Sequence, residues 1–594
     1  ARICAALDGL PLAIELAAAR MRTHEPAELA DRLAEQDRFL LLSRGSRTAD
    51  ARHQTLRAVV QWSWDLLPEA EREMAARLAV FAGGATAADA AAVCGLPDAE
   101  DLLDSLADKS LVEVAGGRYR MLETIRAFCA EQADLDPVRQ AHATRFLTLA
   151  EQADPRLRGG EQLEWLARLS AEHGNLQAAL RWSVESGQVT LGMRLVAAQM
   201  TYLWMRGLRV AVVAPAAALL DLAGAEPDPA LGDAYVLCAL ATVFDPAGRP
   251  AWERHRATAE RMLLDRAGVR HPVVALLWPM VVAGQSDPEV ALSVLQQAGQ
   301  AEDPWERAVT PLLWGYPRLS AGEFELAEQE FRTALGHFLA LGDRWGSGLA
   351  LDSLAWLAAT RGDREVAVAR VNEAIVFAEQ LGAEEDQADL LCNRGDYGSD
   401  PAGRTADYER AAVLARRTGS RTDLACALRG LGDVARLSGD LERARQLYGQ
   451  ALELVDRRWI KALSNYARLM VGIGRIAEAD GDPGAALAAY SGAVESAVTT
   501  GGISEGARGV EALARLALPD ARRAAALLGA ATVVRGVAVL EEPELAVRVR
   551  AILGDEAFEA EYARGAGLSK LDALRLAGVS EQVIAASPLQ VMAR

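Results

Sequence analysis

A glycine followed by an acid recurs at Gly322-Glu323, Gly362-Asp363, Gly439-Asp440 and Gly481-Asp482, and each pair heads the same register of small residues. Five positions after the glycine stands an alanine (Ala327, Ala367, Ala444, Ala486). Twelve after it stands another (Ala334, Ala374, Ala451, Ala493), followed by an aliphatic residue (Leu335, Ile375, Leu452, Val494). Seven before it the residue is again small: Gly315, Ala355, Gly432 and Gly474. Small residues at fixed offsets let the two helices of a hairpin approach closely, and hairpins that cannot bury their faces alone stack into one continuous core. The glycine spacings of 40, 77 and 42 residues leave room for one degenerate copy, with Asp400 in the glycine place and Ala412 and Val413 following in register.

This pattern resembles tetratricopeptide repeats, lengthened from the usual 34 or so residues to about 40. The repeats are expected over residues 311–515, after a stretch of helical linker and eroded repeats at 136–310. Within that stretch, Leu191–Leu222, Pro229–Val243 and Pro250–Leu264 are assigned to the same solenoid. Residues 516–594, including "ARRAAALLGAATVVRG", form a C-terminal helical cap.

The first 135 residues follow another pattern. Asp8 can cap an opening helix and Pro11 has no N–H to leave unpaired in its first turn. Helical patterns follow, the last before the hairpin at Ala99–Asp108; "SLVEVAGGRYRML" then alternates around Gly116-Gly117 as a tight hairpin does, and helix resumes at Glu123. Several helices closing on a short hairpin make a winged helix over residues 51–135, behind a helical subdomain at 1–50. Its candidate recognition helix, "AEDLLDSLAD", is acidic, whereas groove-reading helices present Arg, Lys, Asn or Gln. No direct nucleic-acid binding by this segment is expected.

Three motifs, "GLPLAIELAAARM", "RHQTLRAVVQWSWDLLPEAEREMAARLAVFAGG" and "RYRMLETIRAFCAEQ", resemble in order the second half of an NB-ARC signal-transduction ATPase. The closest likeness is to bacterial transcription regulators of the AfsR/SARP and large LuxR types. "EHGNLQAALRWSVESG" (Glu172–Gly187) resembles a segment that often follows the ATPase half in these regulators. The resemblance implies a nucleotide-binding domain ahead of Gly9, with Gly9 and Leu10 shaping a turn and Pro11 packing near the adenine. The family's Met-His-Asp motif corresponds here to Met121, Leu122 and Glu123, and leucine has no proton to give a phosphate. No G-x-x-x-x-G-K-[ST] motif occurs, and none of the three lysines sits in such a loop. The chain is therefore expected to be no enzyme and to hold no cofactor by itself, with ATP/ADP switching and DNA binding supplied by domains of a longer protein.

The net charge of −19 disfavours binding to a phosphate backbone. Six scattered cysteines without a CxxC pattern argue against a zinc site or a disulfide framework, and fit a reducing cytoplasm. The longest apolar run, near Pro272 to Ala283, is too short to span a bilayer. Gly502-Ile503-Ser504-Glu505-Gly506 matches G-x-S-x-G but follows a helical pattern where a nucleophile elbow needs a strand. Carboxylates on the repeat helices are read as solvated faces. The fold class is all-α: a helical subdomain and a winged helix with one small β-hairpin, followed by a tetratricopeptide-type α-solenoid. Two functions fit it. One is the sensor and transducer part of an ATP/ADP-switched transcription regulator whose repeats bind a protein or small-molecule effector, with homo-oligomerisation on activation. The other is a free-standing repeat scaffold with no nucleotide role.

Overall fold

The computed structural model describes residues 60–585, apart from residues 62, 225, 266–270, 282–287, 301, 456–459 and 501–502. Gly9, Leu10, Pro11 and the opening helix lie outside the described residues. The chain divides into two compact units. The first takes the described residues up to Pro155 with Trp165–Gln199 and Ala214–Pro227, and the second takes Arg156–Glu164, Met200–Val213 and the chain from Asp228 onward.

In the first unit α1 (Glu69–Leu78), α2 (Ala87–Cys94) and α3 (Ala99–Asp108) precede the hairpin of β1 (Glu113–Ala115) and β2 (Arg118–Arg120); α4 (Glu123–Ala130) and α5 (Asp136–Ala153) follow it. The strands pair antiparallel, Val114 opposite Tyr119. Gly116 and Gly117 take φ of 57° and 73° between them, the two positive values that a two-residue turn matching strand twist requires. The core gathers Phe81, Phe128, Phe146 and His142, all buried. Burial pushes the His142 imidazole down to about 4, so it is neutral in the core at neutral pH.

The segment that follows, α6 (Gln162–Ala171) and α7 (His173–Glu185), has a specific task at the hairpin. Arg118 on β2 forms an ion pair with Glu172 (Nη2 to Oε2 2.9 Å) and donates to the Gly84 carbonyl at 2.9 Å. The fully buried Asn175 donates to the same carbonyl at 3.0 Å and to Glu172 at 2.7 Å. Gly84 sits at φ 74°, and a Cβ there would lie 2.7 Å from the Tyr119 carbonyl oxygen. Glu172 and Asn175, one helical turn apart, thus hold the hairpin and the Gly83-Gly84 turn in one hydrogen-bonded cluster.

The run at Leu191–Leu222 departs from expectation. It breaks around Gly207 into α8 (Val189–Met205) and α9 (Val213–Ala223); Trp165–Gln199 and Ala214–Pro227 belong to the first unit, while Met200–Val213 belongs with the repeats to the second. Within the first unit α8 packs closely on α9 and α7 at Gly192, where a Cβ would meet Leu219 at 2.7 Å and Ser183 at 3.2 Å.

The second unit begins its regular part after α10 (Gly232–Ala241), α11 (Arg249–Leu264), α12 (Pro272–Val281) and α13 (Pro288–Ala298). Six helical hairpins follow, each an A helix packed on a B helix: α14 (Pro304–Ala321) with α15 (Phe324–Leu341), α16 (Arg344–Thr360) with α17 (Arg364–Leu381), and α18 (Glu384–Tyr397) with α19 (Pro401–Thr418). Next come α20 (Arg421–Leu437) with α21 (Leu441–Leu454), α22 (Ile460–Ala479) with α23 (Pro483–Thr500), and α24 (Ile503–Leu516) with α25 (Ala521–Arg535). The four register glycines close their A helices at φ between 74° and 89°. The register alanines are buried, and Gly315, Gly432 and Gly474 admit the rings of Phe331, Tyr448 and Tyr490 from their B helices. At Gly474 a Cβ would stand 2.3 Å from the Tyr490 ring.

The degenerate copy is real but shifted by one residue. Asp400 is not in the glycine place: it caps α19 from an extended backbone (φ −77°, ψ 118°), its carboxylate accepting from the Ala402 and Gly403 N–H groups at 3.3 and 2.8 Å. Pro401 then opens the helix, where a missing N–H costs nothing. The glycine place falls on Ser399, which puts buried Tyr408 where Phe331, Tyr448 and Tyr490 stand and buried Ala411 where the register has alanine. After α25, four short helices α26 (Pro543–Leu553), α27 (Asp555–Ala566), α28 (Lys570–Leu576) and α29 (Glu581–Ala585) share one apolar core with the last two hairpins.

The hairpin clamp has a measurable consequence. Replacing Asn175 by Ala leaves the Gly84 carbonyl and Glu172 Oε2 with Arg118 as their donor and without their second bond in a buried site, and should cost the first unit about 2 kcal/mol in chemical denaturation. Glu172→Gln, which leaves Arg118 without its counter-charge, should cost about as much.

Candidate functional site

Three consecutive A helices each carry two arginines seven residues apart: Arg429 and Arg436 on α20, Arg468 and Arg475 on α22, Arg508 and Arg515 on α24. Seven residues is about two helical turns, so the two arginines share a face of each helix. The spacing between copies, 39 and then 40 residues, repeats that of the hairpins, so the arginines form two rows across neighbouring helices.

The first row is fixed by buried carboxylates. Asp396, near the end of α18, accepts from Arg429 Nη2 at 2.9 and 2.8 Å, from Tyr408 Oη at 2.7 Å, and pairs with Arg468. Burial alone would raise the Asp396 carboxyl, but the guanidinium groups of Arg429 and Arg468 hold it far below the usual carboxylate range. Arg468 also reaches Glu505 on α24 at 3.0 Å. Burial likewise opposes ionisation of Glu505, and Arg468 and Arg508 overcome it, bringing the group down to about 2. Asp396, Arg429, Arg468 and Glu505 therefore run as one charged chain through four successive A helices.

The second row meets a different set of partners. Arg436 contacts Asp433 at 3.7 Å and the Tyr448 hydroxyl at 3.3 Å. Arg475 pairs with Glu478 at 3.1 Å and with Glu542, and Arg515 pairs with the same Glu542. Glu542 and its neighbour Glu541 belong to the segment between α25 and α26. Arg508 holds Glu541 at 2.7 Å.

Apart from Arg515, Glu478, Glu505 and the two tyrosines, these side chains line a cavity of about 330 Å³, to which Arg364 and Arg404 add two more guanidinium groups and Glu511 a carboxylate. Seven arginines and five carboxylates face it, in a chain whose net charge is −19. Arg364 and Arg404 form no ion pair among the described residues. The cavity is suited to binding anionic groups by charge-assisted hydrogen bonds. Among the described residues, no group of three or more His, Cys, Asp or Glu could hold a metal ion, and no helix is long and apolar enough to cross a membrane.

The nucleotide-site residues expected from sequence lie elsewhere. Leu122 is half-buried at the start of α4, with its carbonyl accepting from the Arg126 N–H at 2.8 Å. Glu123 is taken up by Arg126 (Nε to Oε2 2.9 Å), which also donates to the Ala79 carbonyl at 3.0 Å. On α3, Glu100, Asp101 and Asp104 face outward, Asp104 accepting from the Tyr119 hydroxyl at 2.7 Å. Of the G-x-S-x-G stretch, Gly502 lies outside the described residues and the rest is in helix α24, where Glu505 belongs to the buried charge chain.

Paired helices with a small-residue register and aromatic rings seated on glycines define a tetratricopeptide-repeat array. The tetratricopeptide repeat family model matches residues 423–497. A curated Mycobacterium tuberculosis protein named as an HTH-type transcriptional regulator is 40% identical over 205 residues, which is 32% of this chain and 23% of that protein. The regulatory protein AfsR of Streptomyces coelicolor is 39% identical over 138 residues, 21% of this chain and 13% of AfsR. The chain thus spans less than a quarter of either relative. Among solved structures, a STAND protein with a tetratricopeptide repeat sensor from Pyrococcus horikoshii aligns with 93% of this chain and 72% of its own, at 14% identity and a TM-score of 0.32. A Rap protein complexed with competence and sporulation factor aligns with 66% of this chain at 13% identity and a TM-score of 0.37.

The charge chain predicts a large and specific penalty. Asp396→Asn leaves Arg429 and Arg468 facing each other in a buried site without their shared counter-charge, and should destabilise the second unit by about 3–5 kcal/mol in urea unfolding. Asp407→Asn, at a carboxylate that pairs only with the more exposed Arg394, should cost under about 1 kcal/mol.

Proposed function

We propose that this chain is the sensing and transducing part of a transcription regulator switched by ATP and ADP, with the repeats as the receiving surface for an effector or protein partner. The observation that carries this is the arginine-lined cavity, assembled by the A helices of consecutive repeats and charged against the sign of the whole chain. The partial similarity to curated regulators supports the regulatory setting.

In this reading the hairpin unit closes on a nucleotide-binding domain in an ADP-bound off state, with Pro11 against the adenine and Leu122 facing the phosphates where the family has histidine. A ligand on the repeats shifts that equilibrium only by its differential affinity for the two states. The segment at Glu172 and Asn175, which grips the hairpin, is suited to pass such a shift onward.

The test is made in the full-length parent. Pro11→Ala removes the fixed backbone angle of the turn and should weaken ADP retention about tenfold, with promoter activation at lower effector concentration. Leu122→His supplies a phosphate donor and should strengthen retention. If both variants retain ADP and activate the promoter as the unaltered protein does, the chain is a scaffold and this function is wrong.

A further inference from the structure

The segment from Gly536 to Glu542 does more than join α25 to α26. It leaves α25 at a glycine with φ 85°, and Arg535 holds its Val539 carbonyl at 2.6 Å. Glu511 accepts the backbone N–H groups of Glu541 and Glu542 at 3.0 and 3.2 Å. The two side chains then reach outward into the arginine rows, Glu541 to Arg508 and Glu542 to both Arg475 and Arg515.

We propose that the arginine-lined cavity is a docking site for an acidic polypeptide segment bearing two adjacent carboxylates, and that the chain's own Glu541-Glu542 occupies it as an internal stand-in. The proposal deepens the function above, on whose partner-binding repeats it rests, by naming the chemistry of the partner.

Three features carry it. The first is charge: without Glu541 and Glu542 the cavity wall holds seven arginines against three carboxylates. Glu505 and Glu478, behind the wall, offset Arg468 and Arg475, and the guanidinium groups that remain in excess attract anions. The second is the kind of recognition. Glu511 reads two consecutive backbone N–H groups while the arginines read the side chains, and only a polypeptide offers both at that spacing. The third is access. The Glu541 and Glu542 side chains are 36% and 29% exposed, whereas Arg475 beneath them is 10% exposed and Glu511 2%. Arg475 and Glu511 are fixed below, while Arg508 and Arg515, as exposed as the glutamates they hold, meet them at the surface, the arrangement that permits exchange. Arg364 and Arg404, on the same wall without ion-pair partners, are left for a further acidic residue of an incoming segment.

The probe is a fluorescently labelled peptide of residues 536–545, Gly-Val-Ala-Val-Leu-Glu-Glu-Pro-Glu-Leu, titrated by anisotropy into the whole chain and into its E541Q/E542Q variant. The variant should bind at least about tenfold more tightly than the unaltered chain, since its cavity is no longer charge-filled from within. Binding should weaken as salt rises from about 50 to about 300 mM, as screened ion pairs do. It should be lost when Arg475→Gln is added, and with a peptide carrying glutamine at both glutamate places. Equal or absent binding by the two chains overturns the proposal, as does undiminished binding of the glutamine peptide. Displacement of the peptide by inorganic phosphate at equal concentration would make the cavity a general anion site and also overturn it. Loss of the cooperative melt in E541Q/E542Q would make the segment part of the fold and overturn it too. Since the assay involves neither nucleotide nor promoter, its failure leaves the ADP-retention test standing on its own.

Discussion

The Asp396 carboxylate is the interaction on which the repeat region depends. A carboxylate taken out of water costs several kcal/mol unless its partners are close and well aimed. Asp396 meets that condition through a tyrosine hydroxyl from its own hairpin and guanidinium groups from the next two. Arg468 passes the requirement on to Glu505 in the hairpin after that. Each member that leaves takes a partner from a buried charge in another hairpin, so four hairpins that could vary independently are tied into one alignment. Apolar packing between neighbours would hold each pair together, but it carries no comparable reach across two repeats.

The packing and the charges divide the work by face. On the side turned to the B helices, Tyr408, Tyr448 and Tyr490 sit in gaps left by Gly395, Gly432 and Gly474, which sets how closely A and B helices approach. Tyr408 and Tyr448 also turn their hydroxyls to Asp396 and Asp433, each at 2.7 Å, so the rings that set the spacing also orient the carboxylates. Those carboxylates in turn fix the arginines that line the cavity. Positioning a guanidinium through a rigid ring and a buried acid leaves its remaining donors pre-oriented for a ligand, which lowers the entropy cost of binding. In the first unit the same logic runs on a smaller scale, with Glu172 and Asn175 fixing Arg118 and the hairpin.

Much of the fold was legible in the sequence because its strongest constraint is periodic. Four copies of the alanine register located their hairpins, and the Gly116-Gly117 alternation located the strands. The fifth copy lies one residue off because Ser399 stands where the other copies have glycine, while Asp400 caps its helix as Asp440 and Asp482 do, and a register built on glycine cannot see that substitution. The break at Gly207 was missed for a related reason: an apolar run through Leu191–Leu222 looks the same whether it is one helix or two. The site was the least legible part. Acids on repeat helices ordinarily face water, and Asp396 and Glu505 are buried because arginines from other hairpins come to them, as Glu511 is because Arg535 comes from its own B helix. A signal was present in the paired arginines at 429/436, 468/475 and 508/515, which keep the repeat spacing. Their role could be seen only once the intervening helices were in position. For Gly9, Leu10 and Pro11, which lie outside the described residues, resemblance remains the only argument.

The central claim, that charge couples hairpins which do not share a covalent turn, is tested most directly by a double-mutant cycle between Asp396→Asn and Glu505→Gln. The two carboxylates lie on α18 and α24 and communicate through Arg468. Urea unfolding of the two single variants and the double variant should give a coupling free energy above about 1 kcal/mol, because Arg468 keeps one carboxylate after either single substitution and loses both in the double variant. Additivity within about 0.3–0.5 kcal/mol would contradict the account, showing that each hairpin settles its own charges and that the rows of arginine have no common support.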